Sequence, residues 1–152
     1  MSENFIAPSL CFCRSGKEYK HCCAPFHLHT AVPETAEQLM RSRYTAYVLK
    51  NIPYIVATTV PSQQTLLETH LLQEWADNTT WLGLEILKTE NLTKTQSAVE
   101  FKAIFQGEEG ELAHQERSIF VKIENRWYFV AVSYTHLGAH ETPEHLVCRL
   151  LL

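Results

Sequence analysis

The 152-residue sequence has no long hydrophobic run and no excess of positive charge. No stretch approaches the roughly 18 apolar residues of a membrane span, and the start lacks the basic segment and apolar run of a signal peptide. We therefore expect no membrane insertion and a cytoplasmic location. The formal net charge of −4 argues against a nucleic-acid-binding surface over the whole protein, although a local basic patch is compatible with it.

Glycine-rich phosphate loops, activated-nucleophile motifs, internal repeats and low-complexity stretches are also missing from the sequence. These absences favour a non-catalytic role. The chain is long enough, and at 45% hydrophobic residues apolar enough, to bury its own core. One domain, with or without a small appendage, is the expected organisation.

Four of the five cysteines lie within 13 residues: Cys11, Cys13, Cys22 and Cys23. Neighbours such as Cys22 and Cys23 form a disulfide only in a strained ring, and reduced thiols are the rule in the cytosol. Two pairs of thiolates on two short turns are typical of a tetrahedral Zn²⁺ site. A shell closed by four protein ligands leaves no position for a substrate, so the predicted zinc is structural. The fifth cysteine, Cys148, stands apart.

Three other interpretations of this cluster stay open. In the first, His21 or His27 supplies a nitrogen ligand to the metal. In the second the cysteines are simply buried apolar residues, and in the third they bind an iron–sulfur cluster. The close spacing of the two pairs leaves little room for the larger iron–sulfur cage.

Basic residues surround the predicted ligands. Arg14, Lys17 and Lys20 against Glu18 give the loop a net positive charge, which balances the negative charge of Zn²⁺ with four thiolates. Tyr19 is expected to cover the site. The sequence therefore predicts a compact zinc knuckle over residues 9–28.

Helical patterns follow the knuckle. Thr35 and Gln38 resemble a capping box, which predicts a helix that runs to about Lys50. The residues on its predicted buried face are Ala36, Met40, Tyr44, Tyr47 and Val48. A second short helix is predicted over 52–60, ended by Pro61, with Ser62 capping the next helix. The buried side of that third helix is predicted to carry Leu67, Leu71 and Trp75.

After residue 78 the hydrophobic period changes to two, as in strands with one buried face. The tips of two hairpins are predicted at 107–111 and 124–126, and the last strand at 127–132. Alternating apolar residues on the first three strands are Leu82, Leu84, Ile86, Val99, Phe101, Ala103, Phe105, Ile119, Val121 and Ile123. Helices followed by antiparallel strands predict an α+β fold, with the helices on one face of a curved sheet.

The segment CFCRSGKEYKHCC resembles the SEC-C zinc motif, with Phe12 where proline is usual and Arg14 where glycine is usual. The segments LMRSRYTAY, TWLGLEIL, HQERSIF and RWYF extend the likeness to the YchJ-like family of SEC-C proteins over residues 10–132. This resemblance implies a zinc knuckle and an NTF2-like cone over 33–132, and no particular reaction. Members of that family often end in a second SEC-C motif.

Residues 133–152 fit neither the strand pattern nor that family. They resemble a translated sequencing adapter, and an artefactual or disordered tail is expected there. We do not interpret Cys148, His136, His140 or His145 as ligands.

Polar residues in the expected cone are the candidates for a second site: Arg41, Arg43, Tyr44, His114, Glu116 and Arg117. Glu116 with His114 or Tyr44 has the chemistry of an acid–base pair. The structural alternative pairs Glu116 with Arg41 or Arg43, and places His114 and Glu116 on the strand face opposite Ile119. The tryptophans Trp75, Trp81 and Trp127 are interpreted as core or cone lining.

Two functional hypotheses result. The first is a non-catalytic zinc-binding adaptor whose knuckle presents Phe12, Arg14, Lys17 and Lys20 to an acidic partner, such as a chaperone or the ribosome, with nucleic acid as a weaker possibility. The second is an enzyme or small-molecule carrier that uses the cone, with zinc only structural. Pairing of two sheets in a homodimer is a further expectation.

Overall fold

The computed structural model describes residues 10–107 and 109–131. The N-terminal part contains a 3₁₀ turn at Tyr19–His21 and five helices: α1 Ala24–His27, α2 Ala36–Val48, α3 Ile52–Ala57, α4 Pro61–Gln64 and α5 Thr69–Asn78. The strands follow: β1 Thr80–Thr93, β2 Gln96–Gly107, β3 Gly110–Ile123 and β4 Arg126–Val130. Helices first and one antiparallel sheet afterwards confirm the predicted α+β class. Residues 133–152, with their cysteine and histidines, lie outside the described residues.

Helix α2 begins where its cap predicts. The Oγ1 atom of Thr35 accepts a hydrogen bond from the backbone N–H of Gln38 at 3.1 Å, and Oε1 of Gln38 accepts one from the N–H of Glu34 at 2.6 Å. The predicted face is confirmed, with Val48 only partly buried. The helix is also buried on other sides, since Leu39, Ser42, Arg43, Thr45 and Ala46 are inaccessible too. Such all-round burial means that α2 is packed between neighbouring elements.

The next helices differ in detail from the prediction. Pro61 does not end a helix but begins α4, because the first turn of a helix needs no N–H from that residue. On α5 the buried residues are Leu72 and Ala76, whereas Leu71 is 38% exposed. Of the three predicted residues, Leu67 and Trp75 are partly buried against the core and only Leu71 was wrong. Leu67 precedes the start of α5, so it does not set the phase of that helix.

The sheet has the order β1-β2-β3-β4, with both predicted hairpin tips confirmed. A β-bulge at Leu82 breaks the expected alternation at the start of β1, so that Trp81 pairs with Phe105 and Gly83 with Ile104. On β3 the predicted core face was wrong: Ser118 and Phe120 are buried, and Ile123 is 41% exposed. The core face of β3 therefore carries the even-numbered residues.

The cysteine loop is packed into the main core. Cys11, Cys13 and Cys23 are almost inaccessible and belong to one hydrophobic cluster with residues of α2 and the sheet. The N-terminal knuckle, meaning the described residues 10–28, thus covers one side of α2. This packing accounts for the all-round burial of that helix.

Candidate metal centre

The sulfur atoms of Cys11, Cys13, Cys22 and Cys23 converge, all within 4.8 Å of one another. The Sγ atoms of Cys13 and Cys22 are 3.5 Å apart, and those of Cys22 and Cys23 are 3.9 Å apart. A tetrahedron with zinc–sulfur bonds of about 2.3 Å has sulfur–sulfur edges of about 3.8 Å. The donor set and its spacing therefore fit a single Zn²⁺ ion.

Two short turns bring the cysteine pairs together. In the first turn the N–H of Cys11 donates to the carbonyl of Lys17 at 2.8 Å, and Gly16 adopts a φ of 89°. In the second, the 3₁₀ turn ends with the N–H of Cys22 donating to the carbonyl of Tyr19 at 3.0 Å. Cys23 then forms the N-terminal cap of α1. Each turn contributes one pair, as the spacing predicts.

Arg14 occupies a backbone position that favours glycine. Its φ of 65° lies in the left-handed region, where a Cβ atom costs about 1 kcal/mol. Its side chain crosses to the sheet, and Nη2 donates to the carbonyl of Leu82 at 2.8 Å. The guanidinium lies so close over Gly83 that a Cβ there would clash with it. The side chain of Arg14 therefore ties the first turn to the start of β1.

Two side chains support the sulfur atoms. The hydroxyl of Ser15 lies 3.1 Å from Sγ of Cys22. On α2, Oγ1 of Thr45 lies 3.5 Å from Sγ of Cys11 and 3.5 Å from Sγ of Cys23. Such groups around the ligands orient them and tune the metal. No pattern in the sequence pointed to Thr45.

Arg41 joins α2 to the knuckle as well. Its Nη1 donates to the carbonyl of Cys13 at 2.6 Å, while Nε forms an ion pair with Glu37 at 2.9 Å. The predicted pairing of Arg41 with Glu116 is therefore wrong, because its guanidinium is already engaged on the knuckle side of the helix.

The thiols shift each other's protonation. Hydrogen bonds from Cys13 and Cys23 lower the pKa of Cys11, whereas the bond to Cys11 raises the pKa of Cys23. Burial raises the pKa of Cys22 to about 11. Without a cation the cluster favours one thiolate that the other thiols stabilise, because four adjacent negative charges repel. A divalent metal removes this obstacle by binding all four as thiolates.

His27 is held away from the sulfur cluster. Its Nε2 lies 2.9 Å from the carbonyl oxygen of Ser42, and its Nδ1 lies 2.8 Å from the hydroxyl of Tyr19. A carbonyl only accepts, so Nε2 carries the proton and Nδ1 accepts from Tyr19. Both ring nitrogens are therefore occupied, and burial lowers the pKa of His27. His21 is on the surface, with 71% of its side chain exposed, 4.0 Å from Glu18.

Arg43 lies in the core of the main domain. Its Nη1 donates to the carbonyl of Ile55 at 2.9 Å and to Oγ1 of Thr58 at 2.7 Å. The guanidinium carbon lies 4.3 Å from the ring centroid of Phe129. Burial lowers the pKa of Arg43 to about 10, so the side chain keeps its charge at neutral pH. These contacts tie α2 to α3 and β4.

His114 and Glu116 share the core face of β3, opposite Ile119 as expected. Nε2 of His114 lies 3.0 Å from Oε1 of Glu116, with only 13% and 14% of these side chains exposed. Arg117 lies on the other face, where it contacts Glu90 at 3.5 Å. The sheet thus brings together the predicted acid–base pair and excludes Arg117 from it.

The tryptophans line the core as predicted. Trp81 contacts Trp75, Phe105 and Tyr44 at ring-centroid distances of 6.1, 6.0 and 5.7 Å. Trp127 is 7% exposed, and its Nε1 donates to the carbonyl of Glu34 at 3.2 Å. Tyr44 therefore belongs to this aromatic cluster and not to the His114–Glu116 pair.

No helix within the described ranges is long and apolar enough to cross a bilayer.

Comparison with known proteins gives consistent matches along the chain. Residues 35–132 match the model of the YchJ middle NTF2-like domain, and residues 8–25 match the SEC-C motif. A UPF0225 protein of Haemophilus influenzae strain 86-028NP is 82% identical over 132 residues, which are 86% of this chain and 82% of that protein. A UPF0225 protein of Actinobacillus succinogenes is 54% identical over 123 residues, or 80% of each chain.

Two solved structures share the fold. A crystal structure of a SEC-C motif containing protein from Psychrobacter arcticus has a TM-score of 0.76 and 39% identity, and the match covers 82% of this chain and 81% of that one. The solution structure of a SEC-C motif containing protein from Rhodopseudomonas palustris has a TM-score of 0.75 and 40% identity, covering 79% and 94%.

Proposed function

This chain belongs to the YchJ family, in which a SEC-C motif precedes an NTF2-like domain, and we propose that it is a non-catalytic zinc-binding adaptor. In this proposal Cys11, Cys13, Cys22 and Cys23 hold one Zn²⁺, and the stiffened knuckle docks an acidic surface of a partner protein. The NTF2-like domain carries the knuckle. A chaperone or a ribosomal protein has suitable chemistry as a partner, and nucleic acid is the weaker alternative.

The observation that carries the metal assignment is the convergence of the four sulfur atoms within 4.8 Å. Four thiolates complete the coordination shell of zinc, so the ion supplies rigidity and no open position for a reacting group. The contacts of Thr45 and Arg41 extend that rigidity into α2.

The surface of the knuckle supports the docking role. Phe12 is 50% exposed, the Lys20 side chain is 74% exposed, and Lys17 is exposed in the same loop. The chain as a whole carries a net charge of −4, so this loop is a local exception. Arg14 contributes less than expected, since its guanidinium is bound to Leu82. A loop that exposes an aromatic ring and two lysines suits a partner that offers apolar and acidic groups.

In the test, the full chain is purified with zinc, immobilised, and incubated with a lysate of the organism that produces it. Captured partners are quantified for the wild type, for a Lys17→Glu, Lys20→Glu variant and after removal of zinc with a chelator. A Lys88→Glu, Lys94→Glu variant is the matched control, because both lysines are exposed in the β1–β2 region. The proposal is supported if partners are lost with the knuckle variant and with zinc removal but kept by the control variant. It is contradicted if neither treatment changes the set of captured partners.

A second candidate function rests on the shielded pair of His114 and Glu116. An imidazole 3.0 Å from a carboxylate on the core face of the sheet has the chemistry of an acid–base pair in a cone that binds a small molecule. A ligand screen by NMR tests this alternative. A compound that shifts the His114 ring signals, and loses affinity in Glu116→Gln but not in Arg117→Gln, supports it; if no such compound emerges, the adaptor stands alone.

A further inference from the structure

A small recess is lined by residues from the end of the knuckle, from α2, from α3 and from β4. Three segments form most of its walls: residues 26–33, which run from α1 towards α2, the end of α3, and the start of β4. Its cavity volume is about 50 Å³. One water needs roughly 10–15 Å³ by this measure, so the recess has room for one group of a few heavy atoms.

The floor of the recess is apolar and its polar atoms are already bonded. Leu39, Tyr54 and Trp127 are buried there. The hydroxyl of Tyr54 pairs with Ser42 at 2.7 Å, and the indole N–H of Trp127 donates to the carbonyl of Glu34. A group that enters therefore meets carbon surfaces and finds no hydrogen-bonding partner at the bottom.

The rim of the recess is positively charged. Arg126 and His29 line it, and the twelve lining residues include no acidic side chain. The side chain of Arg126 forms no ion pair or hydrogen bond with the residues that the structure describes. Its position is set by the β3–β4 turn, where Glu124 and Asn125 adopt φ values of 52° and 68° and lead directly into it.

The charge of Arg126 reaches the interior of the recess. Burial raises the pKa of Tyr54 to about 12, and the positive charge of Arg126 is among the effects that oppose this rise. Arg126 and Tyr54 both line the recess, where Arg126 is exposed and Tyr54 is buried.

We propose that this recess binds a small hydrophobic carboxylate: a short apolar group seated on Leu39, Tyr54 and Trp127, with its carboxylate paired to Arg126. A guanidinium binds a carboxylate through two parallel hydrogen bonds, which fixes the ligand at the rim. The same chemistry occurs in a free short-chain acid and in the C-terminal residue of a peptide. The proposal does not depend on the metal or on the docking role of the knuckle.

The probes are isovalerate and its neutral analogue isovaleramide, added to ¹⁵N-labelled full-length protein. The indole N–H of Trp127 reports binding, and the indoles of Trp75 and Trp81 serve as internal references because neither lines the recess. A Gly-Gly-Leu peptide represents the second source, and its affinity is compared with that of isovalerate. The same peptide with an amidated C-terminus is its neutral analogue. Arg126→Gln is the test variant, Arg117→Gln the matched control, and Ala57→Leu narrows the recess at its rim.

The proposal predicts that the carboxylates shift the Trp127 signal saturably. Binding should be about tenfold weaker in Arg126→Gln and for the neutral analogues, and unchanged in Arg117→Gln. These results together support the proposal. Tighter binding of the free acid or of the peptide then identifies the source. Ala57→Leu, a conservative change at an exposed position, is expected to weaken the binding of both the free acid and the peptide. Equal binding of carboxylate and amide, or no effect of Arg126→Gln, overturns the proposal.

Discussion

The Oγ1 atom of Thr45, in the last turn of α2, lies 3.5 Å from the sulfur of Cys23. Thr45 is fully buried and Cys23 is 1% exposed, so no solvent separates the main domain from the proposed metal ligands. The same hydroxyl is equally close to Cys11. Metal binding and the packing of α2 are therefore expected to depend on each other.

Replacing Thr45 with valine tests this dependence. Valine keeps the shape of threonine but removes the hydroxyl, so the sulfur atoms of Cys11 and Cys23 lose the one O–H donor that they share. We expect zinc affinity, measured by competition with a chromophoric chelator, to fall about tenfold or more. Thr30→Val is the matched control, because among the described residues that hydroxyl bonds to the carbonyl of Pro25 and to no sulfur atom. Equal affinities of the two variants would show that Thr45 does not support the ligands.

The backbone strain at Arg14 gives a second prediction. Arg14→Ala loses the bond to Leu82 and keeps the left-handed φ, whereas Arg14→Gly loses the same bond and relieves the strain. We expect the glycine variant to be more stable than the alanine variant by about 1 kcal/mol in urea unfolding. Each serves as the other's control. An alanine variant as stable as the glycine variant would mean that the φ of 65° carries no cost.

The buried imidazole of His27 predicts a dependence on pH. The unfolded chain protonates this ring with a pKa of about 6.5. Burial lowers the pKa in the folded protein, so the folded state stays neutral over a range where the unfolded state binds a proton. Stability is therefore fully present above the unfolded pKa and is lost as the pH falls below about 6.5 towards the lower folded value.

The measurement compares urea unfolding of the wild type and His27→Gln at about pH 7.5 and about pH 5.5. Acid-induced loss of metal affects both proteins alike, so the difference between them isolates the imidazole. We expect the wild type to lose more stability than the variant on acidification. Identical losses would contradict the assignment of His27 as a neutral, buried group.

The features predicted from local sequence patterns were largely confirmed. The cap at Thr35, the hairpin tip near Gly110 and the convergence of the cysteines each depend on residues close together in the chain. The amide oxygen of Gln38 also helps to close the start of α2, although it accepts from the N–H of Glu34 and not from that of the cap residue Thr35, as it would in a capping box. Geometry of this kind depends on a few residues that are neighbours in the sequence, so a local pattern is enough to predict it.

The errors concern long-range packing. On β3 the alternating Ile119, Val121 and Ile123 are more apolar than their neighbours, yet the core face carries Ser118 and Phe120. Periodicity gives two faces but does not say which one the helices cover. The role of Thr45 was missed for the same reason, because a threonine within a helix gives no indication that cysteines more than twenty residues earlier pack against it.

The metal content of the purified full-length chain tests the central claim most directly. We expect about one zinc per chain by elemental analysis, with Cys11, Cys13, Cys22 and Cys23 unreactive towards a thiol reagent until a chelator is added. Cys22→Ser, which alters the most accessible of the four, should lower the zinc content sharply. Metal-free wild-type protein whose four thiols titrate freely would contradict the account.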